Sequence, residues 1–213
     1  IIDPDVAIIS SIGIDHVAWL GETREAIGFE KAGIFREGVP AIVGDPDPPM
    51  SLQNVANEKN ALLMALGNAF SYTRHPIHWD WHGNHDTIDN LPAPALEGEH
   101  QFRNASAVIM AVSQLQDRLP VSHESIRAAL VKVVLPGRFQ LISGSVPVLL
   151  DVGHNPEAVG TLVAYLQQKF TGRRIRAIFA MMRDKDIAGV LQIMKPMVHE
   201  WYFAPLSNPR ACG

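Results

Sequence analysis

Short apolar runs alternate with segments of helical periodicity along most of the chain. Unbroken apolar runs are typical of strands buried on both faces of a sheet, and apolar residues recurring every three or four positions indicate amphipathic helices. Strands are predicted at 6–12, 40–44 and 70–73, helices at 22–35, 52–66, 105–115 and 123–133, and a hairpin at 78–89. This alternation predicts an α/β fold.

The helical pattern stops at Pro136 and Gly137, because proline and glycine together end a helix and begin a turn. Beyond this point the pattern predicts strands at 139–142, 146–151, 175–181 and 201–204, and helices at 156–170 and 187–194. A βαβαβ order implies a mostly parallel, Rossmann-like sheet. We therefore predict two α/β domains, residues 1–137 and 146–213, with a hinge at 138–145.

Composition narrows the classes of partner. The chain has 213 residues, and its 18 basic and 22 acidic side chains give a net charge of −4. No basic stretch is suited to a nucleic acid or an anionic membrane, and no apolar run approaches the roughly 20 residues of a membrane span. The single cysteine, Cys212, excludes an internal disulfide. We predict a cytoplasmic protein that binds small molecules, without nucleic acid or membrane partners.

The sharpest local pattern is DVGHNP at 151–156, between an apolar strand and a helix. Asn155 suits the N-cap and Pro156 the first helical position, so structure alone explains both. Asp151 and His154 are expected beside the carboxyl end of a parallel strand, where open α/β sheets bind ligands. A carboxylate there can bind ribose, and an imidazole can contact a base or a phosphate. The segment indicates nucleotide binding, with a purely structural role as the alternative.

Other candidate residues have strong structural alternatives. A lone histidine such as His16 is usually a turn or core residue, and Lys31 is in a predicted helix where a solvated lysine is the simplest interpretation. Four histidines follow the spacing H-x2-H-x3-H-x2-H, namely His75, His78, His82 and His85. A turn at 83–84 separates the later pair from the earlier one, so the pattern favours a solvated hairpin over a zinc site.

Six segments occur in an informative order along the chain: 11–21, 30–36, 104–105, 135–140, 151–156 and 183–186. Together they resemble the bacterial bifunctional dihydrofolate/folylpolyglutamate synthases of the Mur ligase superfamily. The resemblance covers essentially the whole chain. It implies an α/β chain that forms the later part of a Mur-ligase-type central ATP-binding domain, followed by the start of a Rossmann-like C-terminal ligase domain.

Neither G-x-G-x-x-G nor G-x-x-x-x-G-K-[ST] occurs in the sequence, so it contains no phosphate-binding loop of either kind. The resemblance implies that this loop precedes Ile1 and that the remainder of the C-terminal domain follows Gly213. We therefore expect an internal piece of a longer enzyme, inactive alone.

The resemblance implies roles for individual residues. His16 ligates a magnesium ion, and Lys31 is carbamylated, because carbon dioxide converts its amine into an anionic oxygen donor suited to a hard cation. The implied catalytic residues are Lys31, Arg138 and His154. The implied nucleotide contacts are Asn104 with adenine, Arg138 with the phosphates, Asp151 with the ribose, and His154 with the nucleotide or the incoming glutamate.

The implied reaction uses ATP to phosphorylate a carboxylate of dihydropteroate or a folate, after which the amine of L-glutamate displaces phosphate. Magnesium and Arg138 offset the charge on the phosphoryl oxygens, and domain closure excludes water. The full-length enzyme is expected to be a monomer. Two alternatives stay open: a noncatalytic nucleotide-binding module that uses Asp151 and His154, and a zinc-binding interaction domain built on the histidine hairpin at 75–85.

Overall fold

The computed structural model describes residues 3–14 and 17–205 and separates the chain into two units, Ile1–Val134 and Leu135–Gly213. The first unit contains β1 (Ala7–Ile9), α1 (Val17–Leu20), α2 (Arg24–Lys31), a 3-10 turn (Ala32–Ile34), β2 (Pro40–Val43), α3 (Met50–Glu58), β3 (Leu62–Ala65), β4 (Phe70–Arg74), β5 (Trp79–Gly83), β6 (Thr87–Leu91), α4 (His100–Gln114) and α5 (His123–Leu130). The α/β class predicted from the sequence is confirmed, whereas the domain limits 1–137 and 146–213 stay a prediction.

A parallel sheet in the order β1, β2, β3 forms one half of the first unit. Buried apolar residues from β1 and β2 pack with α2 and α3, among them Ile9, Ile27, Val43 and Leu52. Because the three strands run in the same direction, their carboxyl ends lie along one edge of the sheet. The loops that follow β1 and β2 are therefore neighbours.

The helix predicted at 52–66 is wrong in its second half, where the chain forms β3 instead. Helix α3 ends at Glu58, and Asn60 adopts a left-handed conformation with a φ of 52°. The N–H of Ala61 donates to the carbonyl of Ala56 at 2.9 Å, which closes the end of the helix. This reversal directs the apolar run that follows into the sheet beside β2.

A glutamate from α2 caps the neighbouring helix α3. The residue before α3, Pro49, provides no side-chain cap, and the carboxylate of Glu25 accepts the N–H groups of Met50 at 3.0 Å and Ser51 at 2.8 Å. The hydrogen bond from Ser51 is the largest cause that lowers the pKa of Glu25. An anion at this end also complements the helix dipole.

The second sheet of this unit is antiparallel, in the order β4, β5, β6. The hairpin predicted at 78–89 corresponds to β5 and β6, and Trp79 and Trp81 from β5 are almost fully buried against residues of α4 such as Phe102 and Met110. Helix α4 begins five residues before its predicted start at 105.

The second unit contains β7 (Gln140–Ile142), β8 (Val148–Leu150), α6 (Pro156–Lys169), β9 (Arg176–Phe179), α7 (Ile187–Met194) and β10 (Glu200–Phe203). Strands β9 and β10 are parallel, but β7 and β8 form an antiparallel pair. The prediction of a mostly parallel sheet is therefore wrong for β7 and β8, because the short connection between them permits only a hairpin. Val159, Met181 and Val190 form the buried core. Among the described helices, none combines the length and apolar character needed to cross a bilayer.

Candidate functional site

The loop after β8 holds the Asp151 carboxylate in a fixed position. One oxygen accepts the N–H of Gly153 at 2.8 Å, and the other accepts the N–H of Phe139 at 3.2 Å. The His154 Nδ1 lies 3.0 Å from the carbonyl oxygen of Val152. Because a carbonyl only accepts, Nδ1 carries the proton of this hydrogen bond. Backbone groups thus orient both predicted nucleotide residues, with Asp151 held in part by the N–H of Phe139.

The structural roles predicted for the end of this loop are confirmed. The Asn155 side chain accepts the N–H of Ala158 at 2.9 Å as the N-cap of α6, and Pro156 occupies the start of the helix. One element of the argument for Asp151 is wrong, because β8 pairs in an antiparallel sense with β7. The carboxylate lies at a hairpin end beside a helix N-terminus, which is an anion-favouring position for a different reason.

Two hydrogen bonds tie this loop to the turn that carries Arg138. The N–H of Val152 donates to the carbonyl of Gly137 at 2.8 Å, and the N–H of Phe139 donates to Asp151. Arg138 lies between these two tethers and is exposed. The structure therefore places the turn that carries Arg138 beside the loop that carries Asp151 and His154.

The conformation of Gly137 favours glycine at this position. We expect Gly137→Ala to lower the free energy of unfolding by about 2 kcal/mol, because alanine is strained in the left-handed region and its Cβ would contact Val152. Its φ is 72°, and a Cβ would lie 2.8 Å from Cγ1 of Val152. Gly172 is a matched control with a φ of 71° and no atom within 4 Å of the place that a Cβ would occupy, so Gly172→Ala is expected to cost about 1 kcal/mol. Urea unfolding followed by circular dichroism measures both. Equal losses would show that the contact with Val152 is unimportant.

A buried carboxylate, that of Asp45, lies at the carboxyl edge of the parallel sheet in the first unit. Asp45 follows β2, and its side chain is 4% exposed. It accepts the N–H of Ile12 at 2.7 Å and of Asp47 at 2.9 Å, and Nη2 of Arg24 lies 3.0 and 3.1 Å from its two oxygens. Nε of Arg24 donates to the carbonyl of Ile12 at 2.9 Å. This network joins the loops after β1 and β2 at the carboxyl edge of the parallel sheet.

The negative charges of Asp45 and Asp47 stabilise the positive charge of Arg24. Partial burial alone lowers the pKa of Arg24, but the hydrogen bonds and charges of Asp45 and then Asp47 outweigh it, so the pKa is raised overall. The sequence interpretation missed both Arg24 and Asp45. The available signal is the position of Asp45 directly after a buried strand, the same signal that points to Asp151.

The remaining residues predicted for the site are His16, Lys31 and Asn104. His16 lies outside the described residues, so its role as a metal ligand stays a prediction. Lys31 is the last residue of α2 and is exposed. Asn104 lies partly buried on α4, and its amide donates to Oε1 of Gln101 at 3.2 Å. The roles of Lys31 and Asn104 in binding metal and adenine stay predictions as well.

The four histidines of the hairpin do not converge on one site. His75 and His78 lie at the turn between β4 and β5, where Asp80 joins them. His82 contacts Oγ1 of Thr73 at 3.1 Å, and His85 lies in the turn at the opposite end of β5. A zinc site made of all four histidines is therefore wrong.

Comparison with known proteins adds to this geometry. Residues 137–212 match the family model described as Mur ligase, glutamate ligase domain. Over 210 residues, the chain is 42% identical to the dihydrofolate synthase/folylpolyglutamate synthase of Escherichia coli strain K12, covering 99% of this chain and 48% of that protein. Nearly the whole chain is therefore similar to about half of a dihydrofolate synthase/folylpolyglutamate synthase.

Solved structures of such synthases have the same fold over the part that matches this chain. The E. coli FolC structure in complex with DHPP and ADP superposes with a TM-score of 0.92 at 42% identity, covering 99% of this chain and 50% of that one. A bifunctional folylpolyglutamate synthase/dihydrofolate synthase with Mn, AMPPNP and L-glutamate bound gives a TM-score of 0.88 at 41% identity, covering 100% and 50%. The chain spans about half the length of the relatives it matches.

Proposed function

We propose that this chain is part of an ATP-dependent carboxylate–amine ligase that adds L-glutamate to dihydropteroate or a folate through an acyl phosphate. Two solved relatives support this assignment, since one binds DHPP and ADP and the other binds Mn, AMPPNP and L-glutamate. Both are structurally similar to this chain along nearly its whole length. We also propose a cytoplasmic location and a monomeric full-length enzyme.

One observation within this chain carries the proposal: the tethering of the Arg138 turn to the loop of Asp151 and His154. A nucleotide needs a cation for its phosphates and an acceptor for its ribose hydroxyls, held at fixed separation. The hydrogen bonds through Gly137 and Phe139 provide that rigidity without using the guanidinium of Arg138. We assign the phosphates to Arg138, the ribose to Asp151, and the nucleotide or the incoming glutamate to His154.

We propose that His16 and a carbamylated Lys31 hold the magnesium ion, and that Asn104 contacts adenine. Lys31 fits such a modification because it is exposed, and no hydrogen bond or ion pair joins its side chain to another described residue. When bound, magnesium supplies positive charge that offsets the charge on the transferred phosphoryl group. Lys31 contributes by exchanging its own positive charge for an oxygen donor.

The proposal predicts that this chain binds ADP, and that Asp151→Ala weakens binding about tenfold because a charged hydrogen-bond acceptor for the ribose is lost. Titration of the ¹⁵N-labelled chain with ADP and Mg²⁺, followed by NMR, measures the affinity. Amide shifts are expected at Gly137, Phe139, Gly153 and His154. Glu157→Ala is the matched control, because Glu157 is an exposed carboxylate in the first turn of α6.

Arg138→Ala gives a second arm in which the Asp151 hydrogen bonds are intact. Loss of a phosphate-binding cation should weaken ADP binding and leave adenosine binding unchanged. Absence of amide shifts in this loop at millimolar ADP would contradict the assignment. Equal losses for ADP and adenosine in Arg138→Ala would also contradict the phosphate role.

A further inference from the structure

The turn between β4 and β5 places two histidines and one aspartate on the same face of the hairpin. His75 and His78 flank the tip, and the N–H of His75 donates to the carbonyl of His78 at 2.9 Å. Side chains alternate along a strand, so Asp80 shares a face with His78, whereas Trp79 and Trp81 point into the core. The two buried tryptophans anchor β5, which carries Asp80 and directly follows His78.

The side-chain atoms of these three residues are spaced for a metal ion. Their ligand atoms all lie within 4.8 Å of one another. Nε2 of His75 is 2.8 Å from one oxygen of Asp80, and Nε2 of His78 is 4.0 Å from the other. Zinc bound tetrahedrally to nitrogen at about 2.0 Å separates its ligand atoms by about 3.3 Å, which lies between these two values.

A β-bulge holds the carboxylate in place. The pairing of β5 with β6 shifts register between Trp79 and Trp81, and Asn90 adopts a φ of 56°. Its N–H consequently points at Asp80 and donates to Oδ1 at 2.8 Å. This hydrogen bond is the largest cause that lowers the pKa of Asp80, and His75 and His78 lower it further. The orientation of the carboxylate is thus set by the backbone.

We propose that His75, His78 and Asp80 form a binding site for a divalent transition metal of the zinc class. Two imidazoles and one carboxylate are a ligand set found in zinc sites that keep a position open to water or to another ligand. A site with two imidazoles favours zinc, nickel or copper over magnesium.

Solvent access is compatible with metal entry. The side chains of His75, His78 and Asp80 are 36%, 31% and 18% exposed. The two imidazole rings stack with centroids 4.4 Å apart, which orders both before a metal arrives. In the absence of metal, Nε2 of His75 and one carboxylate oxygen of Asp80 are hydrogen-bonded to each other, so a metal ion would have to replace this hydrogen bond.

Isothermal titration of the chelator-treated chain with Zn²⁺ tests the proposal. We expect one equivalent to bind with micromolar affinity, and His75→Ala, His78→Ala and Asp80→Asn each to weaken binding at least about tenfold. His85→Ala is the matched control, because His85 is an exposed histidine of the same hairpin. Cys212→Ser tests whether the one thiol contributes. Both controls are expected to bind zinc like the wild type.

Substitution with Co²⁺ supplies a geometric readout, since four-coordinate cobalt absorbs strongly in the visible range. Circular dichroism of each variant checks that the hairpin fold is retained, and the conservative Asp80→Asn preserves the shape of its side chain. No saturable zinc binding by the wild type, or binding unchanged in all three ligand variants, would show that the cluster is only a hydrogen-bonded histidine–aspartate pair. Neither readout depends on ligase activity.

Discussion

Asp45→Ala is expected to lower the free energy of unfolding of the first unit by about 3 kcal/mol. The substitution removes the acceptor for the N–H of Ile12 and the principal anionic partner of Arg24. Loss of one partner is costly because the buried N–H loses its hydrogen bond. Arg24 is 38% exposed and can be rehydrated in part, which limits the loss to the lower part of the range for broken buried ion pairs. Urea unfolding followed by circular dichroism measures the change.

Asp47 provides the control for this experiment. It contacts the same arginine, with Nη1 of Arg24 3.4 Å from its carboxylate, but its side chain is 93% exposed. Exposed ion pairs contribute little, so Asp47→Ala is expected to change stability by less than about 0.5 kcal/mol. A similar loss in both variants would mean that net charge near Arg24, rather than the buried network, stabilises this edge of the sheet.

The elements that the sequence predicts well have clear local boundaries. Helix α6 is predicted correctly because Asn155 and Pro156 mark its start and the apolar pattern continues to its end. Strand β2 is predicted correctly because its apolar run starts at Pro40 and ends before Gly44. In each case the signal is contained within a few consecutive residues, so no tertiary information is needed.

Strand β3 shows why other elements escape prediction. Its four residues continue the apolar pattern of α3, and a short apolar run is compatible with either a helix or a strand. The left-handed turn at Asn60 and the available edge of β2 decide between them. That edge is created by residues about 20 positions away, so the outcome depends on tertiary pairing.

The candidate sites also differ in whether their signal in the sequence is local or depends on tertiary structure. Asp151 and His154 can be found from the sequence because their spacing from a strand and a helix start is local. The Arg24–Asp45 network joins residues 21 positions apart, and the His75–His78–Asp80 cluster depends on hairpin register. A histidine spacing alone selects His82 and His85 as well. His82 lies farther along β5, beside Thr73, and His85 lies in the turn at the other end of β5, so neither joins the cluster.

Trp81→Ala is expected to lower the free energy of unfolding of the first unit by about 4 kcal/mol. The indole is 1% exposed and packs in the core formed by β5 and α4, and its Nε1 donates to the carbonyl of Ser106 at 3.1 Å. Truncation removes a large apolar area and leaves a cavity that the rigid antiparallel sheet cannot collapse to fill. Chemical denaturation followed by circular dichroism measures the loss.

Trp19→Ala is the matched substitution, because Trp19 is 86% exposed and the change in side chain is identical. Its effect is expected to stay within about 0.5 kcal/mol. A difference of several kcal/mol in the free energy of unfolding between the two variants would show that the loss in Trp81→Ala comes from burial of the side chain, since the chemical change is the same in both. Stability close to wild type in Trp81→Ala would show that the buried indole contributes little to the core formed by β5 and α4.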